Sequence, residues 1–270
     1  METSVALERV GHFVRVPVGL PDGKEGRFLL DSGAGLTVVA SAVAGRLGLR
    51  PTGESFTGRR MSGQSVTAPL SSLPSLSVAD VEVSDLTVGV ADMGPTEGDE
   101  GFDGILGLGT LRDWVVTVDP FKAIVLLQQA LEMAPGDMEI PVCVERQEPS
   151  VCLFTDLQLS TGRVVQVEID TGSGALILDD RYLGDCGVEP GQDEIETLVD
   201  TDETGFEYVR RFATAKGRVQ LAGQPATVQS SPRTMFQDII HDGLLGTDFL
   251  DRFTYSFDVR GQRLVLRPTA

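Results

Sequence analysis

Short runs of alternating apolar and polar residues, separated by Gly, Pro, Asp and Ser, recur along the chain: FVRVPVGL at 13–20, GRFLLD at 26–31, LTVGVAD at 86–92 and VVTVDPFKAIVLL at 115–127. A period of two puts one face of each run on a core and the other toward solvent, which predicts β-strands. PDGKEG at 21–26 and STGR at 160–163 predict the hairpin turns between them. Few stretches keep a helical period. One helix is expected in each half, with Thr110 and Thr247 as N-caps ahead of LRDWV and DFLDRF and with Asp113 and Asp248 favourable in the first turn. The composition, with 31 glycines and 14 prolines among 270 residues, agrees with an all-β chain.

The pattern also repeats. FLLDSGAG at 28–35 aligns with VEIDTGSG at 167–174, and FDGILGLGTL at 102–111 aligns with HDGLLGTDFL at 241–250, both at an offset of 139 residues. The same offset pairs Gly23 with Gly162, Gly35 with Gly174, Leu111 with Leu250 and Asp119 with Asp258. A register held that long predicts two halves of one fold that differ in their surface loops. The boundary is expected in APGDME at 134–139, which divides the chain into 1–136 and 137–270.

Each half places an Asp at the end of an apolar strand, followed by a small hydroxyl residue and Gly: Asp31-Ser32-Gly33 and Asp170-Thr171-Gly172. A charge there is costly unless something requires it. The small residues allow a tight turn in which the N–H groups of Gly33 and Gly172 face carboxylate oxygens, while the hydroxyls of Ser32 and Thr171 reach across to the other half. If the halves pack face to face, Asp31 and Asp170 meet, and like charges about 3 Å apart hold one proton between them. One carboxylate then takes a proton from water while the other donates one to a carbonyl, which is general acid–base hydrolysis without metal or cofactor. Ser173 beside Asp170 offers a hydrogen bond that Ala34 beside Asp31 does not, which predicts that Asp170 is the acid that stays ionised.

These motifs, completed by Ile105-Leu106-Gly107 and Leu244-Leu245-Gly246, resemble the pepsin and retropepsin clan of aspartic proteases over nearly the whole chain. The spacing and the DG-[IL]-LG form are nearer the retropepsin pattern. The resemblance implies a bilobal fold of two retropepsin-like β-barrel lobes about a pseudo-twofold axis, a monomer that cuts peptide or protein substrates, and a preference for bulky apolar residues beside the scissile bond. It also implies hairpin flaps, matched by Met61, Ser62, Gly63 and Gln64 in the first lobe and by Thr204, Gly205 and Phe206, in a slipped register, in the second. The alternative within the same fold is a module that binds peptide or protein without cutting it.

Charge narrows the partners. Asp and Glu outnumber Lys and Arg 40 to 22, for a net charge of −18, and that field repels a phosphate backbone, so nucleic acid is not an expected partner. No run approaches the roughly 18 apolar residues of a membrane span, and no secretory leader is apparent, so membrane association is not expected. The odd count of three cysteines predicts free thiols and a cytoplasmic location, although a hairpin at PVCVERQEPSVC would bring Cys143 and Cys152 close. His12 and His241 stand in no metal-ligand spacing and are expected to be structural or exposed. The stretch from Asp185 to Glu207 is acidic, whereas the matching region of the first half is basic, with Arg46, Arg50, Arg59 and Arg60. It is open to two readings: a solvated loop, or opposite charge offered to the two ends of a peptide.

Overall fold

A computed structural model of the chain describes residues 2–93, 101–189, 195–201 and 205–269. The protein is all-β, with two short α-helices among the described residues, Ser41–Leu47 and Thr247–Leu250. In the N-terminal half, eight strands form one sheet in which Glu25–Asp31 lies between Phe13–Gly19 and Gly104–Gly107. In the C-terminal half, a second sheet places Val164–Ile169 between Ser150–Gln158 and Gly243–Leu245. Each glycine-led strand runs parallel to the strand that ends at an Asp motif, with Leu29 opposite Ile105 in one half and Glu168 opposite Leu244 in the other.

A third sheet of six strands joins the halves, in the order Glu2–Ala6, Ile124–Gln128, Val115–Asp119, Phe253–Asp258, Arg263–Pro268 and Met138–Pro141. Its middle pair is antiparallel, with Thr117 opposite Ser256 and their hydroxyls 2.7 Å apart. The expected boundary lies in the connection between Ile124–Gln128 and Met138–Pro141. Inward-facing residues of all three sheets form one continuous apolar core that includes Phe28, Leu106, Phe236, Tyr255 and Phe257. Burying side chains of this size contributes about 1.5–3 kcal/mol each.

The sequence repeat has a contact basis. Asp103 accepts a hydrogen bond from Arg27 N at 2.8 Å, and Asp242 accepts one from Gln166 N at 3.1 Å, so both partners shift by the same 139 residues. Asp119 and Asp258 both accept from backbone N–H groups in the turns that follow them.

The helix placement differs from expectation in the first half. After Gly107 the chain makes separate turns, closed by Thr110 N to Gly107 O and Trp114 N to Leu111 O, and the strand beginning at Val115 leaves no room for a helix. The helix is instead Ser41–Leu47, which buries Val43 and Ala44 and ends at Gly48 in the left-handed conformation. In the second half the helix forms where expected, but Gly246 is its N-cap and Thr247 is its first residue. Both threonine hydroxyls have other partners: Thr110 meets Thr37, and Thr247 donates to Ser173 O. Cys143 and Cys152 are not opposed across their hairpin, where Cys143 faces Phe154 and Cys152 faces Glu145. All three thiols are free.

Candidate active site

Asp31 and Asp170 sit at the ends of their strands, where small residues turn the chain back beneath them. Gly33 N and Ala34 N both donate to Asp31 Oδ1, at 2.9 and 3.0 Å, and Gly172 N donates to Asp170 Oδ1 at 2.8 Å. The two carboxyls are hydrogen-bonded to each other. Each also lies against the other half's glycine: a Cβ on Gly33 would fall 2.6 Å from Asp170 Oδ1, and one on Gly172 would fall 2.6 Å from Asp31 Oδ2. Glycine is required there for space.

Beneath the pair, Ser32 and Thr171 are fully buried and bonded reciprocally. Ser32 N donates to Thr171 Oγ1 and Thr171 N donates to Ser32 Oγ, both at 3.0 Å. The Ser32 hydroxyl then donates to Ile169 O and the Thr171 hydroxyl to Leu30 O. Four buried bonds therefore tie one aspartate loop to the other, and both hydroxyls are fully used. The second glycine motif supports the loops from behind, since a Cβ on Gly246 would lie 2.5 Å from Ala175 O and one on Gly107 would lie 3.0 Å from Gly35 O.

Burial raises the pKa of both acids. For Asp31 the rise is opposed by Gly33, Ala34 and the proton shared with Asp170. For Asp170 it is reinforced by the charges of Asp31 and Glu168, and only Gly172 opposes it from the backbone. The backbone donors therefore favour negative charge on Asp31, while the charges of Asp31 and Glu168 disfavour it on Asp170. The Ser173 hydroxyl, from which a hydrogen bond to Asp170 is expected, donates instead to Ala175 O. The backbone N–H of Ala34, which needs no side chain, supplies the asymmetry in the opposite sense.

The pair opens into a cleft of about 840 Å³, lined among others by Met61, Cys152, Glu168, His241 and Leu244. The hairpin of Arg50–Arg59 and Ser65–Val78 arches over it, with Met61, Ser62, Gly63 and Gln64 in the turn. Gly63 N donates to Arg60 O with Gly63 at φ +84°, a conformation suited to glycine. Met61 O accepts from Ile240 N at 2.9 Å, which ties the hairpin tip to the C-terminal half. The second hairpin, Glu196–Thr201 with Glu207–Thr214, brings Phe206 beside Arg60, Met61 and Ser62 rather than over the acids. Gly205 lies in its turn, and Thr204 lies outside the described residues.

Among the lining residues that the sequence reading does not assign to a site are Cys152, Glu168 and His241. Glu168 offered a signal, an acid two residues before Asp170 in the apolar strand VVQVEID and therefore on the same strand face. His12 also touches the site, with Nε2 3.2 Å from Gly172 O. Among the described residues no cluster of His, Cys, Asp or Glu could hold a metal ion, and no helix is long and apolar enough to cross a membrane.

Residues 16–110 match the family model described as aspartyl protease. That stretch carries Asp31, the hairpin over the cleft and the Gly104–Gly107 strand. No curated protein matches the chain.

Proposed function

We propose that the chain is an aspartic endopeptidase in which water held between Asp31 and Asp170 attacks a peptide carbonyl. The observation that carries this reading is the pair of mutually hydrogen-bonded carboxyls on the floor of the cleft, one from each half. The family match supports a protease of the aspartic type. We read 1–136 and 137–270 as two lobes about an approximate twofold axis between Ser32 and Thr171. The reciprocal bonds at that point and the self-matching register around Thr117 and Ser256 support the axis. Both acids come from one chain, so a monomer suffices. The three free thiols fit a reducing compartment such as the cytoplasm.

Asp31, ionised, takes a proton from the water as its oxygen bonds to the carbonyl carbon, while Asp170 gives its proton to the carbonyl oxygen. The product of this step is a neutral geminal diol. Asp31 then passes its proton to the amide nitrogen as the carbon–nitrogen bond breaks, and Asp170 recovers one from the diol, restoring the starting state. The hairpin at Met61 to Gln64 pairs with an extended substrate as an added strand, which requires the Met61–Ile240 hydrogen bond to open first.

Cleavage of a peptide library by wild type, Asp31→Asn and Asp170→Asn tests the reading. Wild type is expected to cut, and each variant to lose about 10³-fold or more in kcat/KM. Cutting that survives in either variant removes the dyad, and binding without cutting by wild type makes the cleft a peptide-capture site.

A further inference from the structure

The two flanks of the dyad differ in chemistry. Two residues before Asp31 stands Leu29, and two before Asp170 stands Glu168, each on the same strand face as its aspartate and about 7 Å along the strand from it. The surroundings diverge by the same offset: Phe13, Phe102 and Ile105 in the N-terminal half become Cys152, His241 and Leu244 in the C-terminal half. Phe13 packs edge-on against Phe102, with ring centroids 5.9 Å apart, and the buried Arg15 that lies over Phe102 is paired with Glu8, so the flank at Leu29 combines apolar side chains with a compensated charge. The flank at Glu168 holds an acid that is only 6% exposed yet lines the cleft.

Such an acid is costly without a cation. Among the described residues no Lys or Arg pairs with it. Its neighbours are the Cys152 thiol, which donates a hydrogen bond to it, and His241, whose Nε2 lies 3.6 Å from its Oε2. Burial lowers the pKa of His241, so that ring is a weak cation. The charges that act on Glu168 are those of Asp31 and Glu145, both negative. Arg146, which also borders the cleft, donates to Val259 O.

We infer that Glu168 makes the subsite on its side of the dyad a receptor for a lysine or arginine side chain, so that the preferred substrate carries a basic residue on one side of the scissile bond and an apolar residue on the other. This rests on the protease reading for the location of the scissile bond. The guanidinium or ammonium group supplies the missing counter-charge, and His241 and Leu244 flank its aliphatic stem. It also replaces the symmetric apolar preference that the clan resemblance implies.

The test uses a peptide with norleucine on both sides of the scissile bond and two analogues with arginine at either position, assayed at pH 7.5. The same three sequences with a reduced amide at that bond are titrated calorimetrically. Arginine at one position is expected to raise both kcat/KM and affinity by about tenfold or more, and at the other to lower both. Glu168→Gln should abolish the gain and Glu168→Leu should reverse it. Wild type with no arginine preference at either position overturns the inference, as does a preference that survives in Glu168→Gln. Arginine-selective binding without cleavage would sink the protease reading and leave this one standing. Cleavage without selectivity would do the reverse, and neither binding nor cleavage would sink both.

Discussion

Glutamine in place of Glu168 keeps the size of the side chain and removes its titration, which isolates what the buried carboxyl costs the fold. Burial, opposed by the Cys152 hydrogen bond and reinforced by Asp31 and Glu145, raises its pKa from 4.5 to about 7. The raised value belongs to the folded state. Between those pH values the native protein holds a proton that the unfolded chain has released, so stability falls as pH rises through that window. At about 1.36 kcal/mol for each tenfold change in proton affinity, the loss is about 3 kcal/mol. Guanidinium unfolding of wild type and Glu168→Gln at pH 4.5 and pH 8 measures it. Every other group titrates in both proteins, so the stability of the variant relative to wild type should rise by about 3 kcal/mol from the lower to the higher pH. A relative stability that moves by less than about 1 kcal/mol would show that Glu168 titrates as an ordinary solvated acid, and the account of an uncompensated carboxyl in the cleft wall would fail.

Three further outcomes follow from the site. Thr171→Val removes the acceptor of Ser32 N and the donor to Leu30 O in a fully buried setting, and should cost roughly 2–5 kcal/mol in a denaturation experiment; a cost near zero would mean the reciprocal bonds do not hold the loops together. Gly172→Ala brings a methyl group against the Asp31 carboxyl, so kcat should collapse while circular dichroism stays native, and full activity in that variant would contradict the close approach. Hydrolysis needs Asp31 ionised and Asp170 protonated, and both values are raised. Activity should therefore fall as pH drops through the raised Asp31 value and fall again as pH climbs past the higher Asp170 value, and a rate maximum below the ordinary 3.8 would refute the assignment.

Much of this was legible in the sequence because it rests on short-range rules. Strand alternation and turn residues locate the hairpins, and the 139-residue offset alone sets Asp31, Ser32 and Gly33 against Asp170, Thr171 and Gly172. What escaped depends on tertiary context. The Ser41–Leu47 helix has no side-chain cap and is held by the burial of Val43 and Ala44, whereas Thr110, a good cap by type, is taken up by Thr37. By residue type Ser173 is the natural partner of Asp170, yet its hydroxyl turns to Ala175 O and the extra donor at the pair is the backbone of Ala34, which residue identity does not reveal. Strand alternation counts an acid such as Glu168 as solvent-facing, and here that face is a cleft wall. The Cys143 and Cys152 juxtaposition failed by register: two residues of slip on one strand put Phe154 where a thiol partner would have to stand.

The six-stranded sheet bears on why a doubled sequence is kept in one polypeptide. Its central rungs, Val115–Asp119 against Phe253–Asp258, already clasp one half to the other, and the stretch 129–137 lies outside that ladder. The covalent thread adds a high effective concentration to that clasp and fixes stoichiometry, guaranteeing one copy of each half in every molecule. An assembly of two identical chains must repeat every wall of its groove, while a fused pair is free to set Leu29 on one side and Glu168 on the other, so the groove acquires a direction.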